Sequence, residues 1–387
     1  MKPFSFVDLF SGCGGMSMAF DDMASVRQVL AIDSWDTAVQ TNRRNFPGAN
    51  VRCAELGSVD AHRILMDETG GHCDLLVGGP PCQGFSTLGK RELECEKSAL
   101  VDVFVDAAKT LRPKLIVMEN VRGFLSKKHP NGALYGDHIR KRLNSGRGAT
   151  KYLVVDQIVD CRTLGLAQTR QRYILAAVRS DCPEPEGALQ CFLETVQSFQ
   201  SASAQCLTVR DAIGDLPRVP PAGGAFETAL ANGLVIYNHQ SLNHSAALRA
   251  RLSHVPPGGG LLDVPRRLLT PHLKRMVDGK YGSGGHVKNI YGRLEWGSQC
   301  GTIVAGIDKI TCGRFVHPEE DRLLTPRECA RLQGFPDDFV FLGGLVAQYY
   351  MIGNAVPPPL SRAIAAASHE VLVRISGRGK SALEAAA

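Results

Sequence analysis

The sequence predicts an α/β protein, a doubly wound and largely parallel sheet accompanied by a smaller, loop-rich domain. Three observations predict it. Short apolar runs alternate with longer amphipathic ones through the first half, a glycine-rich turn follows the first apolar run, and a long Gly/Pro-rich stretch precedes an ordered C-terminus. Phe6 to Phe10, Val29 to Ile32, Leu75 to Val77 and Leu115 to Met118 read as buried strands, and Lys151 to Ile158 and Tyr173 to Val178 extend the series. Thr37 to Asn45 and Leu100 to Leu111 read as helices between them. Strand–helix alternation of this kind gives a parallel sheet covered on both faces. Ligands of such sheets bind beyond the carboxyl ends of the strands.

The pattern changes after Asp181-Cys182-Pro183. Periodicity is poor to about Arg322, and segments such as Pro256-Pro257-Gly258-Gly259-Gly260 punctuate it, so residues 183–322 are expected to form the second domain. The first domain is then discontinuous, 1–182 and 323–375. Thr325-Pro326-Arg327-Glu328 reads as a helix start, with Thr as cap and Pro in the first turn. An Ala-rich amphipathic helix at Pro359 to Ile375 closes the fold, and 376–387 is expected to be a mobile tail.

At 387 residues, with 44% hydrophobic and 21% charged, the chain can bury two cores. The net charge is +6, and residues 251–300 concentrate it: Arg251, Arg266, Arg267, Lys274, Arg275, Lys280, Lys288 and Arg293 face only Asp263, Asp278 and Glu295. A solvated surface is the ordinary outcome of such a run, and a polyanionic partner is the functional one. The twelve cysteines form no C-x-x-C pair, which argues against a zinc site, and a chain with this core needs no disulfide scaffold. Phe4 to Phe10 reads as a strand and not as a signal peptide, and no apolar run is long enough to span a membrane. A cytoplasmic, reduced protein is expected, in which a reactive thiol survives.

Four segments at predicted strand ends carry chemistry. Asp8-Leu9-Phe10-Ser11-Gly12-Cys13-Gly14-Gly15 is a strand running into a turn that lets backbone approach a ligand, and Asp33 follows at the distance of a ribose-binding carboxylate. No Gly-Lys-Ser/Thr follows, which favours an adenosine ligand without phosphates. A purely structural glycine turn is the alternative. Gly78-Gly79-Pro80-Pro81-Cys82-Gln83-Gly84-Phe85-Ser86 places Cys82 just past a strand on a proline-stiffened approach. A lone Cys is commonly a buried small hydrophobe, and one so placed is also a candidate nucleophile. Met118-Glu119-Asn120-Val121 brings a carboxylate out of an apolar strand, which is costly without a partner or a task. Gln168-Thr169-Arg170-Gln171-Arg172-Tyr173 opens a strand, and the period of two would put Arg170 and Arg172 on one face.

These segments, in this order, resemble the motifs of the DNA (cytosine-5)-methyltransferases. They read F-S-G-C-G-G, G-P-P-C-Q-G-F-S, E-N-V and Q-T-R-Q-R, followed by Leu324-Thr325-Pro326-Arg327-Glu328 to Pro336 and by Gly353-Asn354-Ala355-Val356-Pro357-Pro358. The resemblance covers roughly residues 4–180 and 323–370. It implies a Rossmann-like sheet dependent on S-adenosylmethionine, a target recognition domain in the middle and double-stranded DNA as substrate. It makes Cys82 the thiol that attacks cytosine C6, Glu119 the contact to N3 and the amine, Arg172 the contact to O2, and Arg170 a supporting residue. It places Phe10, Ser11, Gly12, Gly14, Asp33, Ser34, Glu55, Pro81, Leu100 and Asn354 at the cofactor. Asp33 stands where relatives usually carry Glu, Ser34 where many carry an apolar residue, and Glu55 where they carry Asp. The segment Cys82 to Lys97 is the expected mobile loop closing on DNA. No metal is implied. A monomer acting on DNA, nucleoid-associated when bound, with a cognate endonuclease acting separately, completes the expectation. The short approach to the first strand points to a stand-alone bacterial or phage-type enzyme. The rivals are a tRNA cytosine-5 methyltransferase of the same fold, a catalytically inactive DNA-binding regulator, and a dinucleotide oxidoreductase suggested by the glycine turn alone.

Overall fold

The computed structural model describes residues 2–81, 100–202, 206–220, 223–230, 232–279 and 286–377. Cys82, the loop expected to Lys97 and the tail from 378 lie outside them. The chain divides into two compact units, Met1–Leu164 with Gln171–Ala204 and Val356–Ala387, and Gly165–Arg170 with Gln205–Ala355.

The first unit is built on seven strands: β1 (Phe4–Leu9), β2 (Val26–Asp33), β3 (Val51–Cys53), β4 (Leu75–Gly78), β5 (Leu115–Val121), β6 (Tyr152–Asp160) and β7 (Gln171–Arg179). Their order is β3-β2-β1-β4-β5-β7-β6. The first five are parallel, while β7 runs antiparallel to β5 and β6 antiparallel to β7. Val7, Leu9, Leu76, Ile116 and Met118 are fully buried, as continuous apolar strands between helical layers must be. From β1 the chain winds outward to β2 and β3, and from β4 it winds the other way to β5, so the order reverses between β1 and β4. That reversal opens a crevice at the strands' carboxyl ends.

The helix over Leu100–Leu111 falls where its periodicity put it, and the one expected at Thr37 begins at Asp36. The domain boundary falls later than Cys182. Pro185–Ala202 is an 18-residue helix of the first unit, burying Ala188, Leu189, Phe192 and Val196 at helical spacing beside the closing helix Pro358–Ile375. Pro185 sits in the first turn of this helix, where its missing N–H costs nothing. The return falls later too, because Leu323–Ala355 pack with the second unit.

The second unit has little regular structure, a hairpin of Gly224–Ala229 with Val235–Gln240 and short helices. Buried arginines supply donors to carbonyls of its loops, a helix end and the hairpin. Arg293, 4% exposed, donates to the carbonyls of Val255, Leu252, His317 and Glu320. Arg327 donates to those of Tyr237, Pro336 and Phe339. Thr325 caps its helix as expected: its hydroxyl accepts from the Glu328 N–H at 3.2 Å and Glu328 accepts from the Thr325 N–H at 2.6 Å. The same Glu328 takes two bonds from Arg322, at 2.7 and 2.8 Å, with both side chains buried. The basic run is therefore not a uniform surface, since Arg293 is structural and Arg266 is paired with Asp278 at 2.7 Å. Among the described residues no helix is long and apolar enough to cross a membrane.

The Arg322 guanidinium holds the Glu328 carboxyl down to about 2 against the opposing effect of burial. Its folded value lies below the unfolded one, so its contribution is complete above the usual carboxylate range and is lost as pH falls toward 2. Glu328→Gln leaves Arg322 buried with Glu320 as its remaining acid and is expected to cost about 3 kcal/mol at pH 7. The difference from wild type should shrink steadily in urea titrations between pH 5 and pH 2.

Candidate active site

The carboxyl ends of the parallel strands gather the predicted residues of the first unit. Beyond β1 the chain turns through Phe10 and Gly12 in left-handed conformation, with φ of 61° and 53°. For an aromatic residue that conformation is strained and marks a constrained turn. Gly14 has φ of 95°, and a Cβ there would lie 2.6 Å from the Phe46 ring. Only glycine fits. Gly78 ends β4 under a similar constraint, because a Cβ would meet the Leu9 carbonyl at 2.5 Å.

Asp33 ends β2 and ties the turn down. One carboxylate oxygen accepts from the Gly12 N–H at 2.9 Å and the other from the Trp35 N–H at 2.8 Å. Burial raises its pKa, and the backbone N–H groups partly offset this. Each oxygen keeps acceptor capacity for a hydroxyl. Ser34 and Glu55 are exposed, Glu55 lying two residues beyond β3, and Pro81 and Leu100 are half-buried.

Asp8, within β1, is fully buried. One oxygen accepts from the Ser17 hydroxyl at 2.5 Å and the other has no protein partner. Burial pushes its pKa up to about 7, with the nearby Asp33 charge adding to the rise. The Ser11 hydroxyl and both polar atoms of the Asn42 amide are likewise buried without protein partners. Asn42 borders Gly14, its Cγ 3.2 Å from where a Cβ would stand. No Lys or Arg occurs in residues 8–19 or 33–42. Acids and unpaired polar groups without cations suit a ligand that carries positive charge and ribose hydroxyls and lacks phosphate.

Glu119 and Arg172 meet across the antiparallel pair β5–β7. Val121 stands opposite Arg172 and Glu119 opposite Ile174, so the two are diagonal neighbours. Arg172 Nε lies 2.7 Å from Glu119 Oε1, with the side chains 8% and 10% exposed. The carboxylate emerging from the apolar strand thus has its partner. Its other oxygen lies 3.5 Å from where a Gly79 Cβ would stand, so glycine leaves the backbone close to the acid. Asn120 has a task that motif reading left unassigned: its amide donates to the Pro80 carbonyl at 3.2 Å and accepts from the Val121 N–H at 2.9 Å. It fixes the strand end two residues before Cys82.

Two predicted residues belong to the second unit. β7 begins at Gln171, so Arg170 does not share a strand face with Arg172. Arg170 belongs to the second unit, is 1% exposed, and donates to the carbonyls of Ile303, Gly353 and Ala355 at 2.9, 3.2 and 3.0 Å. Asn354 is an exposed residue ending the helix Leu345–Asn354, also of the second unit.

Among the described residues Asp102, His129 and His138 are the group with metal-ligand chemistry. Their hydrogen bonds oppose that use. The Asn131 N–H donates to His129 Nδ1 at 3.2 Å. Its side-chain oxygen accepts from the Ala133 N–H, which leaves its NH2 to donate to His138 Nδ1 at 3.0 Å. Both Nε2 atoms then carry hydrogen and donate to Asp102, at 3.0 and 2.7 Å. The cluster clamps the first turn of the helix that begins at Leu100.

The profile of the family described as C-5 cytosine-specific DNA methylase matches residues 4–370. The chain is 32% identical over 366 residues to the type II methyltransferase M1.HphI of Haemophilus parahaemolyticus, covering 94% of this chain and 86% of that one. It is 30% identical over 383 residues to the type II methyltransferase M.DdeI of Desulfomicrobium norvegicum, covering 93% and 87%. In fold it is similar to the crystal structure of a prophage-encoded E. coli protein described as a DNA modification methyltransferase, with a TM-score of 0.67, 20% identity and coverage of 97% and 99%.

Asp8 stays neutral in the folded protein up to about pH 7 while the unfolded chain ionises in the usual carboxylate range. Its contribution therefore weakens stability as pH rises from about 4 to 7. Asp8→Asn removes the ionisation and keeps an acceptor for Ser17. Its melting temperature relative to wild type is expected to rise between pH 5 and pH 8, and a constant difference would refute the assignment.

Proposed function

The chain belongs to the C-5 cytosine-specific DNA methylase family, and from that premise we propose that it methylates C5 of cytosine within a short sequence of double-stranded DNA, with Cys82 as covalent nucleophile. The observation that carries the reading is the buried Glu119–Arg172 pair beside the strand end that leads into Pro81-Cys82.

Cytosine C5 is a poor nucleophile. Addition of the Cys82 thiolate to C6 breaks the C5–C6 double bond and makes C5 an enamine-like carbon, dividing a hard step into easier ones. Glu119 is the group to hold a proton at N3 and accept from the exocyclic amine, and Arg172 fixes that carboxylate while facing the base O2. The target base must leave the duplex to meet them. After transfer the C5 proton passes to water and the thiolate departs. Arg170, spent on backbone carbonyls, supports its segment of chain and does not touch the base.

S-adenosylmethionine supplies an electrophilic methyl group on a sulfonium. The residues that would hold it are Phe10, Ser11, Gly12 and Gly14 in the turn, Asp33 at the ribose, with Ser34, Glu55, Pro81 and Leu100 around them and Asn354 from the later motif. The unpartnered oxygens of Asp8 and Ser11 and the absence of basic residues fit a cationic, phosphate-free cofactor. In the second unit exposed cations such as Arg267 and Arg275 would contact phosphates while other side chains read base edges. A modification enzyme acting as a monomer on the nucleoid, with a companion endonuclease of the same specificity, belongs to this reading.

Methylation sequencing of plasmid DNA from cells expressing wild type, Cys82→Ala and Glu119→Gln tests it. Wild type should leave 5-methylcytosine in one short motif and Cys82→Ala none. The purified Glu119→Gln protein should lose about 10²-fold or more in kcat. Methylated tRNA beside unmodified DNA would replace the reading with an RNA substrate, and no methylation at all would point to an inactive DNA-binding protein.

A further inference from the structure

The turn after β1 leads into a single helical turn, Met18–Asp21, with Ser17 at its N-cap. A serine there ordinarily accepts a hydrogen bond from one of the next N–H groups. Ser17, with helical backbone angles of φ −71° and ψ −23°, makes no such cap bond, and its hydroxyl donates instead to the buried Asp8 carboxyl at 2.5 Å. The missing acceptor comes from far along the chain. Ser361, fully buried in the helix Pro358–Ile375, accepts from the Ala19 N–H at 3.3 Å and donates to the Met16 carbonyl at 2.6 Å. One hydroxyl therefore spans the backbone just beyond Gly14, whose own carbonyl accepts from the Met18 N–H at 3.0 Å.

We propose that Ser361 is a positioning residue for the cofactor turn, supplying from 342 residues away the cap that Ser17 has given up to Asp8. The inference rests on the reading of this turn as the S-adenosylmethionine site. Were Ser17 to rotate toward the Ala19 N–H, Asp8 would lose its hydrogen bond from that hydroxyl inside the sheet and stand as a desolvated acid with both oxygens unsatisfied. Ser361 resolves the conflict. It leaves Asp8 with one satisfied oxygen and one available, and it ties Met16 and Ala19, the backbone that follows Gly14, to the helix Pro358–Ile375. A residue acting this way affects cofactor affinity and leaves the reacting groups untouched.

The same helix provides a matched control. Ser368 is also fully buried, and its hydroxyl has no protein partner. Ser361→Ala and Ser368→Ala delete the same atom from the same helix, but only the first removes two hydrogen bonds from the turn. Binding of S-adenosylmethionine by calorimetry, together with kcat and KM on plasmid DNA, tests the proposal. Ser361→Ala is expected to weaken cofactor binding and raise its KM about tenfold, with kcat at saturating cofactor within about twofold of wild type, while Ser368→Ala binds like wild type. Equal binding by all three proteins overturns the inference. So does a Ser361→Ala protein that loses kcat and melting temperature without a selective change in cofactor affinity, since that is a structural role only. Should Ser361→Ala not accumulate folded, Ser361→Cys fills the site with a slightly larger atom that is a weaker acceptor and is read against the same outcomes. Failure of wild type itself to bind S-adenosylmethionine overturns the assignment of the turn and this inference with it.

Discussion

A main-chain polar group taken out of water must be given a partner, and this requirement organises both units of the protein. In the first unit the sheet meets it along the strands, and side chains take over where the strands end. Asp33 accepts from Gly12 and Trp35, Asn120 donates to Pro80, and Ser361 serves Met16 and Ala19 together. In the second unit, where regular structure is scarce, Arg170, Arg293, Arg322 and Arg327 donate to main-chain carbonyls. Arginine suits the task because its planar head carries five donors in fixed directions.

The candidate site grows from the same economy of partners. Side chains fixed at the strand ends are those whose hydrogen bonds are only partly used by the protein. Asp33 keeps acceptor capacity, Asp8 keeps one oxygen, and Ser11 and Asn42 keep theirs. Glu119 differs in having a full ionic partner in Arg172, and the β5–β7 register is what makes them neighbours. A carboxylate so placed is oriented by the fold itself, before any ligand arrives.

Much of this was legible in the sequence because it rests on local rules. The capping box of Thr325 and Glu328 follows from residue types three apart, and Leu100–Leu111 from its period. The second domain was expected to start at residue 183, and the helix Pro185–Ala202 was not foreseen, because a proline in the first turn of a helix and a proline in a loop look alike in one dimension. Arg170 was misread because a period of two has meaning only inside a strand, and the strand begins one residue later. The run around Arg293 resembled a basic surface because sequence does not say which arginines find carbonyls.

By itself the sequence determined the alternation that makes the sheet, the glycines that allow the turn, and the order of motifs that marks the family, since each depends on neighbours a few residues apart. Only the tertiary structure decided which buried polar groups are satisfied and by whom. The Glu119–Arg172 pair, the clamp on Asp102 and the service of Ser361 to the first turn join residues 27 to 345 positions apart. Such partnerships come from the packing of elements against one another, and no local pattern encodes them.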